Sequence, residues 1–323
     1  MLLISLFLLI FSLAFSHYPR HVKETLKNID RGIYGVFGTY EQVSSKNRGF
    51  ISNAYFVITK DDVVVFDALS SYKLGKELLE SIRSITKKPI KYVVISHYHT
   101  DHFYGLKAFK DAGAIVIAHP WSYQYLSSEE SQNMLKARRQ LLSKHMEGTE
   151  LIRPDITTSE SLTIHTGGES FEIHHWCRAH TNGDIVMYIP SRRILFAGDL
   201  VFGGRVPFLG SGNSKTWIDC LDRIMQIKPL LLLPGHGPYL KGEEAIQKQV
   251  LWTRQYIQDI RSVVKKLYEQ GLNIQEVRDK ANEEMLRINP EYAQVGAFFD
   301  VNPVNAYYIY FEIEREMLET PQN

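Results

Sequence analysis

The feature that most constrains this fold is a run of metal-ligand residues directly after a strand-like segment. Four histidine and aspartate side chains stand within six residues: His97, His99, Asp101 and His102. The apolar residues 92–95 precede them, so the run lies on a loop that leaves a strand end. In extended backbone the first two histidines point the same way. A turn into a following helix can bring the other two ligands to a neighbouring point, so the run can serve two metal ions.

Three more candidate ligands each follow another apolar run. They are His180 after residues 171–176, Asp199 after residues 194–196, and His236 after residues 230–233. Strands that stack in sheets deliver their ends to one rim, where loops carry chemistry on a rigid scaffold. Imidazole and carboxylate groups are normal ligands of zinc. The sequence therefore predicts a metal site at one sheet edge.

Hydrophobic periodicity divides the chain into two β-rich halves, each with helices. The first half has strand-like runs at 33–39, 54–59, 63–66, 92–95 and 115–117, and helical patterns at 74–82 and 120–146. The second has strand-like runs at 161–164, 171–176, 185–189 and 194–197, and helical patterns at 217–227, 241–270 and 293–316. Asp61 and Asp62 separate two of the strands and predict a hairpin turn. We expect an α/β (α+β) fold with helix, sheet, sheet and helix layers.

Size and charge are those of a globular protein without a nucleic-acid signature. The chain has 323 residues, of which 44% are hydrophobic and 23% are charged. Its 37 basic and 36 acidic residues leave a net charge of +1, whereas phosphate binding needs clustered lysine and arginine. We therefore expect a small-molecule substrate and no nucleic-acid partner, and the oligomeric state stays open.

The first 16 residues have the pattern of an export signal. Residues 2–15 are apolar except for two serines, and Ala14-Phe15-Ser16 fits a small-x-small cleavage site. Cleavage after Ser16 would give a periplasmic or secreted protein without stable membrane insertion. No lysine or arginine precedes the apolar run, so an uncleaved membrane anchor stays open as the alternative.

The chain has two cysteines, Cys177 and Cys220. An oxidising compartment would allow them to pair. Two buried or half-buried thiols are the alternative, because free cysteine behaves as a small apolar residue. The sequence leaves this choice open.

The ligand motifs, in this order, resemble those of the metallo-β-lactamase superfamily. That family has a strand aspartate, then His-x-His-x-Asp-His, a later histidine, a Gly-Asp pair and a final histidine. Here these motifs correspond to Asp67, residues 97–102, His180, Asp199 and His236. The resemblance covers roughly residues 30–240 and implies a four-layer αβ/βα sandwich. We therefore expect a metallo-β-lactamase domain over residues 17–248 and a helical extension over residues 249–323 packed on it.

The resemblance also implies a role for each residue. One metal would be held by His97, His99 and His180, the other by Asp101, His102 and His236, and both by Asp199. Asp67 would orient a ligand through a hydrogen bond. We expect two Zn²⁺ ions per chain, with iron or manganese as alternatives.

Such a site is that of a hydrolase which needs no serine or cysteine nucleophile. Two metals lower the pKa of a bridging water towards 7. The resulting hydroxide would attack an ester, thioester, lactone or lactam carbonyl. Asp101 could also accept a hydrogen bond from the hydroxide, which makes it the catalytic candidate.

Within the superfamily, the chain most resembles exported quinoprotein-relay and sulfur-oxidation-type metallohydrolases. The matching residues are the leader and segments 198–202, 205–207, 302–307 and 312–314. This resemblance leaves a second class of function open: a non-hydrolytic metal-binding or sulfur-redox partner of a periplasmic relay. Iron in place of zinc would indicate oxidation rather than hydrolysis.

Two further regions are candidates for contact with a substrate. The loop over residues 202–217 contains Arg205 and Lys215, and a cation there could hold a substrate carboxylate. Solvated loop charges are the alternative for both. The aromatic cluster at residues 121–125 is predicted to pack in the interior rather than to cover the site.

Overall fold

A computed structural model describes residues 18–319, and two β-sheets form its centre. The proposed signal peptide over residues 1–16 lies outside the described residues. Among the helices that are described, none combines the length and the apolar character needed to cross a membrane.

The first sheet has seven strands whose spatial order follows the chain. They are β1 Lys27–Asp30, β2 Ile33–Val36, β3 Ala54–Ile58, β4 Val63–Phe66, β5 Ile90–Val94, β6 Ile115–Ala118 and β7 Ile156–Thr157. Strands β1 to β4 pair antiparallel, and β4 to β7 pair parallel. Ile58 faces Val63 in the register of β3 and β4, so the hairpin predicted at Asp61 and Asp62 is present.

The second sheet has six strands. In chain order they are β8 Ser161–Thr166, β9 Glu169–His174, β10 Val186–Ile189, β11 Ile194–Phe202, β12 Leu231–His236 and β13 Leu240–Lys241. Their spatial order is β13-β12-β11-β10-β9-β8. Strands β11 and β12 pair parallel, and the other neighbours pair antiparallel.

Helices cover the outer face of each sheet. Those of the first half are α1 Tyr72–Ile85, α2 Thr100–Phe103, α3 Leu106–Asp111, α4 Trp121–Leu126 and α5 Glu129–Leu142. Those of the second half are α6 Ser214–Ile227, α7 Glu243–Glu269, α8 Ile274–Ile288 and α9 Phe298–Glu319. Helix α7 runs without a break across residue 248, so the division into two domains at that point stays a prediction.

Alternation along the strands explains the layers. In β3, Ala54 and Phe56 belong to the apolar cluster beneath the first-half helices, whereas Tyr55 and Val57 belong to the cluster between the sheets. Successive strand side chains point to opposite faces, so one strand serves two cores. A third cluster joins the second sheet to α6 to α9. These clusters confirm the predicted four-layer sandwich with a C-terminal helical region.

Two helical regions differ from the sequence prediction. The pattern over residues 120–146 divides into α4 and α5, because Ser128 caps a new helix by accepting a hydrogen bond from the Ser131 amide. Helix α8 was not predicted, although it carries a clear start signal. Asn273 and Glu276 form a capping box, in which each side chain bonds the other residue's backbone N–H.

Candidate metal centre

The seven predicted ligands meet at one edge of the two sheets. Strands β4 and β5 run parallel, so Asp67 and the run that begins at His97 leave the first sheet on the same side. In the second sheet, Asp199 lies within β11 and His236 ends its parallel neighbour β12. His180 follows β9 on the connection to β10. The strand ends thus converge, as the sequence predicted.

The ligand atoms form three overlapping groups, and within each group they lie within 4.8 Å of one another. The groups are His97, His99 and His180; His97, His102 and Asp199; and Asp101, His102 and His236. The Asp199 carboxylate lies between the outer two groups. Its Oδ2 atom is 3.3 Å from Nε2 of both His180 and His236, and its Oδ1 atom is 3.4 Å from His102 Nε2. This position suits a bridging ligand.

Three buried polar atoms at the centre of this cluster fit a metal. They are His97 Nε2, His102 Nε2 and Asp199 Oδ1, none of which has a hydrogen-bond partner among the described residues. A buried polar atom left without a partner costs about 1–3 kcal/mol. Coordination to a cation would satisfy all three atoms, and the seven side chains supply only nitrogen and carboxylate oxygen donors. The donor set therefore fits divalent zinc, and also iron or manganese.

The second nitrogen of each histidine ring is held by a hydrogen bond that orients the ring. The partners are Ser96 Oγ for His97, Ser211 Oγ for His99, Asp67 Oδ2 for His102, the Phe208 carbonyl for His180 and the Ile51 carbonyl for His236, at 2.8 to 3.0 Å. A carbonyl can only accept, so Nδ1 of His180 and of His236 donates. When neutral, each of these rings therefore directs its Nε2 lone pair at the cluster, which is the arrangement that metal ligation needs.

Burial keeps three of these rings neutral, and it lowers the pKa of His97 well below the usual range. Burial, with the charge of His180 beside it, lowers the pKa of His99 to about 3. Burial also lowers the pKa of His180, against the attraction of Asp199, to about 4. His102 behaves differently: burial lowers its pKa, but the carboxylates of Asp199, Asp101 and Asp67 raise it to about 10. In the metal-free protein a proton on His102 therefore offsets the negative charge of these carboxylates. A bound cation would offset the same charge in its place.

Asp67 orients His102 from a strained backbone position. Its φ is +65°, in the left-handed region that non-glycine residues rarely adopt. The carboxylate accepts hydrogen bonds of 2.8 Å from the Ser96 amide, the Ser96 hydroxyl and His102 Nδ1. Strain of this kind persists where surrounding contacts fix the residue. Here it places a buried carboxylate behind one candidate ligand.

We expect Asp67→Asn to weaken metal binding about 10- to 100-fold, because His102 loses a charged outer partner. Competition against a chelator of known affinity measures the change. Asp62→Asn is the matched control, since Asp62 is also buried but bonds Thr59 and Thr166 away from the ligand cluster. Equal metal affinity in the Asp67 variant and the wild type would contradict the assigned role.

A cavity of about 310 Å³ opens over the ligands. Arg205 lines it and is only 6% exposed. Among the described residues its Nε atom has no hydrogen-bond partner, and its Nη1 atom donates to the Glu41 carbonyl at 3.4 Å. No carboxylate of the described residues forms an ion pair with it. Arg205 is thus a buried, unpaired cation at the cavity wall, as expected of an anion-binding group.

Lys215, the other cation proposed from the sequence, does not share this position. Asn213 caps α6 by accepting from the Thr216 amide, so Lys215 lies in the first turn of that helix. Its neighbour Ser214 and Trp217 face inward, whereas Lys215 is exposed and does not line the cavity. The cap fixes the residue at which the helix begins, and this start places Lys215 on the exposed side of the helix.

Three residues in the apolar walls of the cavity were not identified from the sequence as part of the site: Tyr98, Met134 and Tyr308. Phe208 also lines the cavity, and it lies on the loop over residues 202–217 that was predicted to contact a substrate. Tyr125, from the aromatic cluster predicted to pack, does contact the first core, but it also lines the cavity. Its ring stacks on Tyr98 with the centroids 5.0 Å apart. The cluster therefore contributes to both packing and the site.

A disulfide supports the segment that carries His180. Cys177 and Cys220 are bonded, with their Cα atoms 6.0 Å apart. Cys220 lies on α6, and Trp217 of that helix packs against the His180 ring at 5.3 Å between centroids. The cross-link therefore ties a candidate ligand segment to the helix behind it, and it resolves the choice that the sequence left open.

Residues 51–53 also support the site, and sequence analysis missed them. The Ile51 carbonyl accepts from His236, and the Ser52 hydroxyl donates to the Asp101 carbonyl. The Asn53 amide group donates to the carbonyls of Pro234 and Gly237, at 2.9 and 2.8 Å. The segment joins both halves at the ligand cluster. None of these residues has a ligand type, so only a three-dimensional structure reveals the role.

Comparison with known proteins agrees with this geometry. The sequence profile of the metallo-beta-lactamase superfamily matches residues 47–236, more than half of the chain. The linear primary-alkylsulfatase of a Pseudomonas species is 22% identical over 68% of this chain and 48% of its own length. Metallo-beta-lactamase IND-1 of Chryseobacterium indologenes is 24% identical over 65% of this chain and 78% of its own length.

Solved structures show the same fold. The sec-alkylsulfatase Pisa1 from a Pseudomonas species has a TM-score of 0.70 at 16% identity, covering 92% of this chain and 52% of its own. A metallo-beta-lactamase from Pontibacter korlensis has a TM-score of 0.55 at 24% identity, covering 71% of this chain and 98% of its own. The chain thus spans about half the length of the alkylsulfatases and nearly all of the lactamase.

Proposed function

Because the chain belongs to the metallo-β-lactamase superfamily and is a hydrolase of that group, we propose that it uses two zinc ions to cleave a small anionic substrate. One observation carries this proposal: five imidazoles and two carboxylates converge at one place. Three of their buried polar atoms have no hydrogen-bond partner among the described residues. Family membership favours an enzyme over the non-hydrolytic relay partner considered from the sequence.

The proposed roles follow the three ligand groups. His97, His99 and His180 would hold one ion, Asp101, His102 and His236 the other, and Asp199 both. When bound, such an ion pair supplies a nucleophilic hydroxide near neutral pH and a Lewis acid for the bond that is cut. Zinc is the proposed metal because histidine and carboxylate donors are its usual set, with iron or manganese as alternatives.

Asp101 is the proposed proton acceptor. Burial raises its pKa, but His102 and His236 have the larger combined effect and hold it well below the usual range. The group is therefore an ionised carboxylate throughout the neutral range. Its side chain is 15% exposed, against 3% for Asp199, so it is the more accessible of the two from the cavity. It can accept a hydrogen bond from the attacking group and so orient it.

Arg205 is proposed to bind an anionic group of the substrate. A buried guanidinium without a carboxylate partner gains more from an arriving anion than a surface lysine does, because it is already stripped of water. The aromatic and apolar side chains around the cavity suit the rest of the molecule. We propose an ester, thioester, lactone or lactam that carries a carboxylate or similar anion.

A sulfate ester is a second candidate. The likeness to the sec-alkylsulfatase extends over 92% of the chain, whereas the likeness to the lactamase from Pontibacter korlensis extends over 71%. Together with the sequence match to the linear primary-alkylsulfatase, this likeness makes a sulfate ester a substrate to test beside the carbonyl compounds. Arg205 would then bind the sulfate group itself.

We expect Arg205→Ala to raise KM about 10- to 100-fold, since a hydrogen bond to a charged group contributes about 1.5–3 kcal/mol. The value of kcat should change less, because the metal ligands remain in place. Steady-state kinetics with the best substrate separate the two constants. Lys215→Ala is the control and should leave KM unchanged. An unchanged KM in the Arg205 variant would remove this residue from the site.

A substrate panel tests the function itself. Zinc-loaded and iron-loaded protein would be assayed against a lactam, a lactone, a thioester, a carboxylate ester and an alkyl sulfate. Turnover of a carbonyl substrate supports the main proposal, and turnover of the sulfate alone supports the second. Metal binding without turnover of any compound would contradict both and favour the relay partner.

We also propose that the protein is exported, to the periplasm or out of the cell, because its first 16 residues have the pattern of a signal peptide.

A further inference from the structure

The C-terminal helix α9 reaches the ligand cluster through one buried amide side chain. We propose that Asn305 is a positioning residue for the ligand group of His97, His99 and His180. It would act through the loop over residues 205–211. This inference rests on the proposed metal binding, and it concerns a residue about 70 positions beyond the last ligand.

Asn305 holds the loop from both sides of Phe208. The side chain is fully buried. Its Nδ2 group donates to the Pro207 carbonyl at 2.7 Å and to the Tyr256 hydroxyl at 2.9 Å. Its Oδ1 atom accepts from the Leu209 amide at 2.9 Å. Two backbone groups that flank one residue are thus fixed by a single side chain, which sets the direction of the peptide groups between them.

The peptide group that is fixed in this way contacts a candidate ligand. The Phe208 carbonyl accepts the Nδ1 proton of His180 at 2.9 Å. Three residues later, Ser211 Oγ lies 3.0 Å from His99 Nε2. Both rings belong to the same ligand group. Outer hydrogen bonds orient metal-binding histidines, so the loop orients two of the three ligands in this group.

The other ligand group is oriented by different residues. His102 bonds Asp67, and His236 bonds the Ile51 carbonyl. The Asp101 backbone accepts from Ser52. None of these contacts involves the 205–211 loop. Loss of Asn305 should therefore affect one group and leave the other intact, which a general loss of stability would not do.

The loop depends on such contacts because it has little regular structure. Residues 206–210 belong to no helix or strand. At its start, the Val206 amide donates to the Gly296 carbonyl at 3.1 Å. Beyond that, the Asn305 contacts to Pro207 and Leu209 hold its middle. Without them, the Phe208 carbonyl is free to turn away from His180.

Asn302 provides a matched control on the same helix. It is also fully buried and also bonds Tyr256, whose hydroxyl donates to Asn302 Oδ1 at 2.9 Å. Its Nδ2 group donates to Asn282 at 3.0 Å. Neither contact involves the loop. Asn302→Ala should therefore cost a similar amount of stability without altering the metal ligands.

Cobalt(II) titration of metal-free protein tests the proposal. Absorption spectra and competition with a chelator would give the affinity of each binding step for the wild type, Asn305→Ala and Asn302→Ala. We expect two steps in the wild type. In Asn305→Ala one step should weaken about tenfold with the other unchanged. In Asn302→Ala both steps should match the wild type, while the thermal midpoint of the metal-free protein falls in both variants.

Equal weakening of both steps in Asn305→Ala, no weakening at all, or the same pattern in Asn302→Ala would overturn the positioning role. If Asn305→Ala does not fold, Asn305→Asp keeps the size and the acceptor for Leu209 but loses the donor to Pro207. The same split between steps is expected there. A wild type that binds no cobalt would instead contradict the proposed function, and this inference with it.

Discussion

His99→Ala is expected to abolish hydrolysis while the fold is retained. The change removes one of three ligands from a group whose ligand atoms lie within 4.8 Å of one another. The loss should exceed the roughly 10- to 100-fold effect of removing an outer hydrogen-bond partner. His99 is only half-buried, at the rim of the cavity, so its truncation should disturb the core less than that of the buried His97. Initial rates, metal content and circular dichroism together measure the outcome.

A second histidine outside the cluster provides the comparison. His174 is also half-buried and contacts Glu172 on strand β9, but it belongs to no ligand group. His174→Ala should retain activity and metal content. A His99→Ala variant as active as the wild type would refute the ligand assignment.

Gly235→Ala is expected to prevent metal binding through a single methyl group. A Cβ atom at this position would lie 2.0 Å from Asp199 Oδ1 and 2.9 Å from His102 Cε1. Neither neighbour can withdraw easily, because both are buried and one is the proposed bridge. The bridging carboxylate must therefore move. We expect loss of both ions and of activity, with about 1–3 kcal/mol of destabilisation from overpacking.

The control for this substitution is Gly271→Ala. Gly271 has a φ of +78° just after helix α7, and a Cβ there would meet no atom within 4 Å. Alanine should cost about 1 kcal/mol of stability through backbone strain. Metal binding should be unchanged. If Gly235→Ala binds metal as the wild type does, the carboxylate of Asp199 is not where the structure has it.

The ligand cluster could be predicted from the sequence because each ligand is of a characteristic residue type and closely follows an apolar, strand-like run. The same holds for Asp67, which directly follows β4 at the same edge. The sequence says less about which basic side chains belong to the site. Arg205 and Lys215 lie in one predicted loop, but in the structure Arg205 is buried, whereas Lys215 is exposed in the first turn of α6.

Apart from the bond between Asp67 and His102, the outer contacts of the ligands could not be predicted. Two of the ring partners are backbone carbonyls, at Ile51 and Phe208, and any residue offers a carbonyl. The bond between Ile51 and His236 spans 185 positions, so no local pattern reports it. Asn305 is a similar case, because its role depends on how α9 packs against a loop 98 positions earlier. Such contacts are set by tertiary structure alone.

Elemental analysis of the protein, expressed and purified without chelator, shows whether the seven side chains bind metal. We expect about two zinc ions per chain, and a chelator should remove both the zinc and the turnover, which added zinc restores. Protein that contains no metal, and takes up none when zinc is supplied, would show that these side chains do not form a metal site.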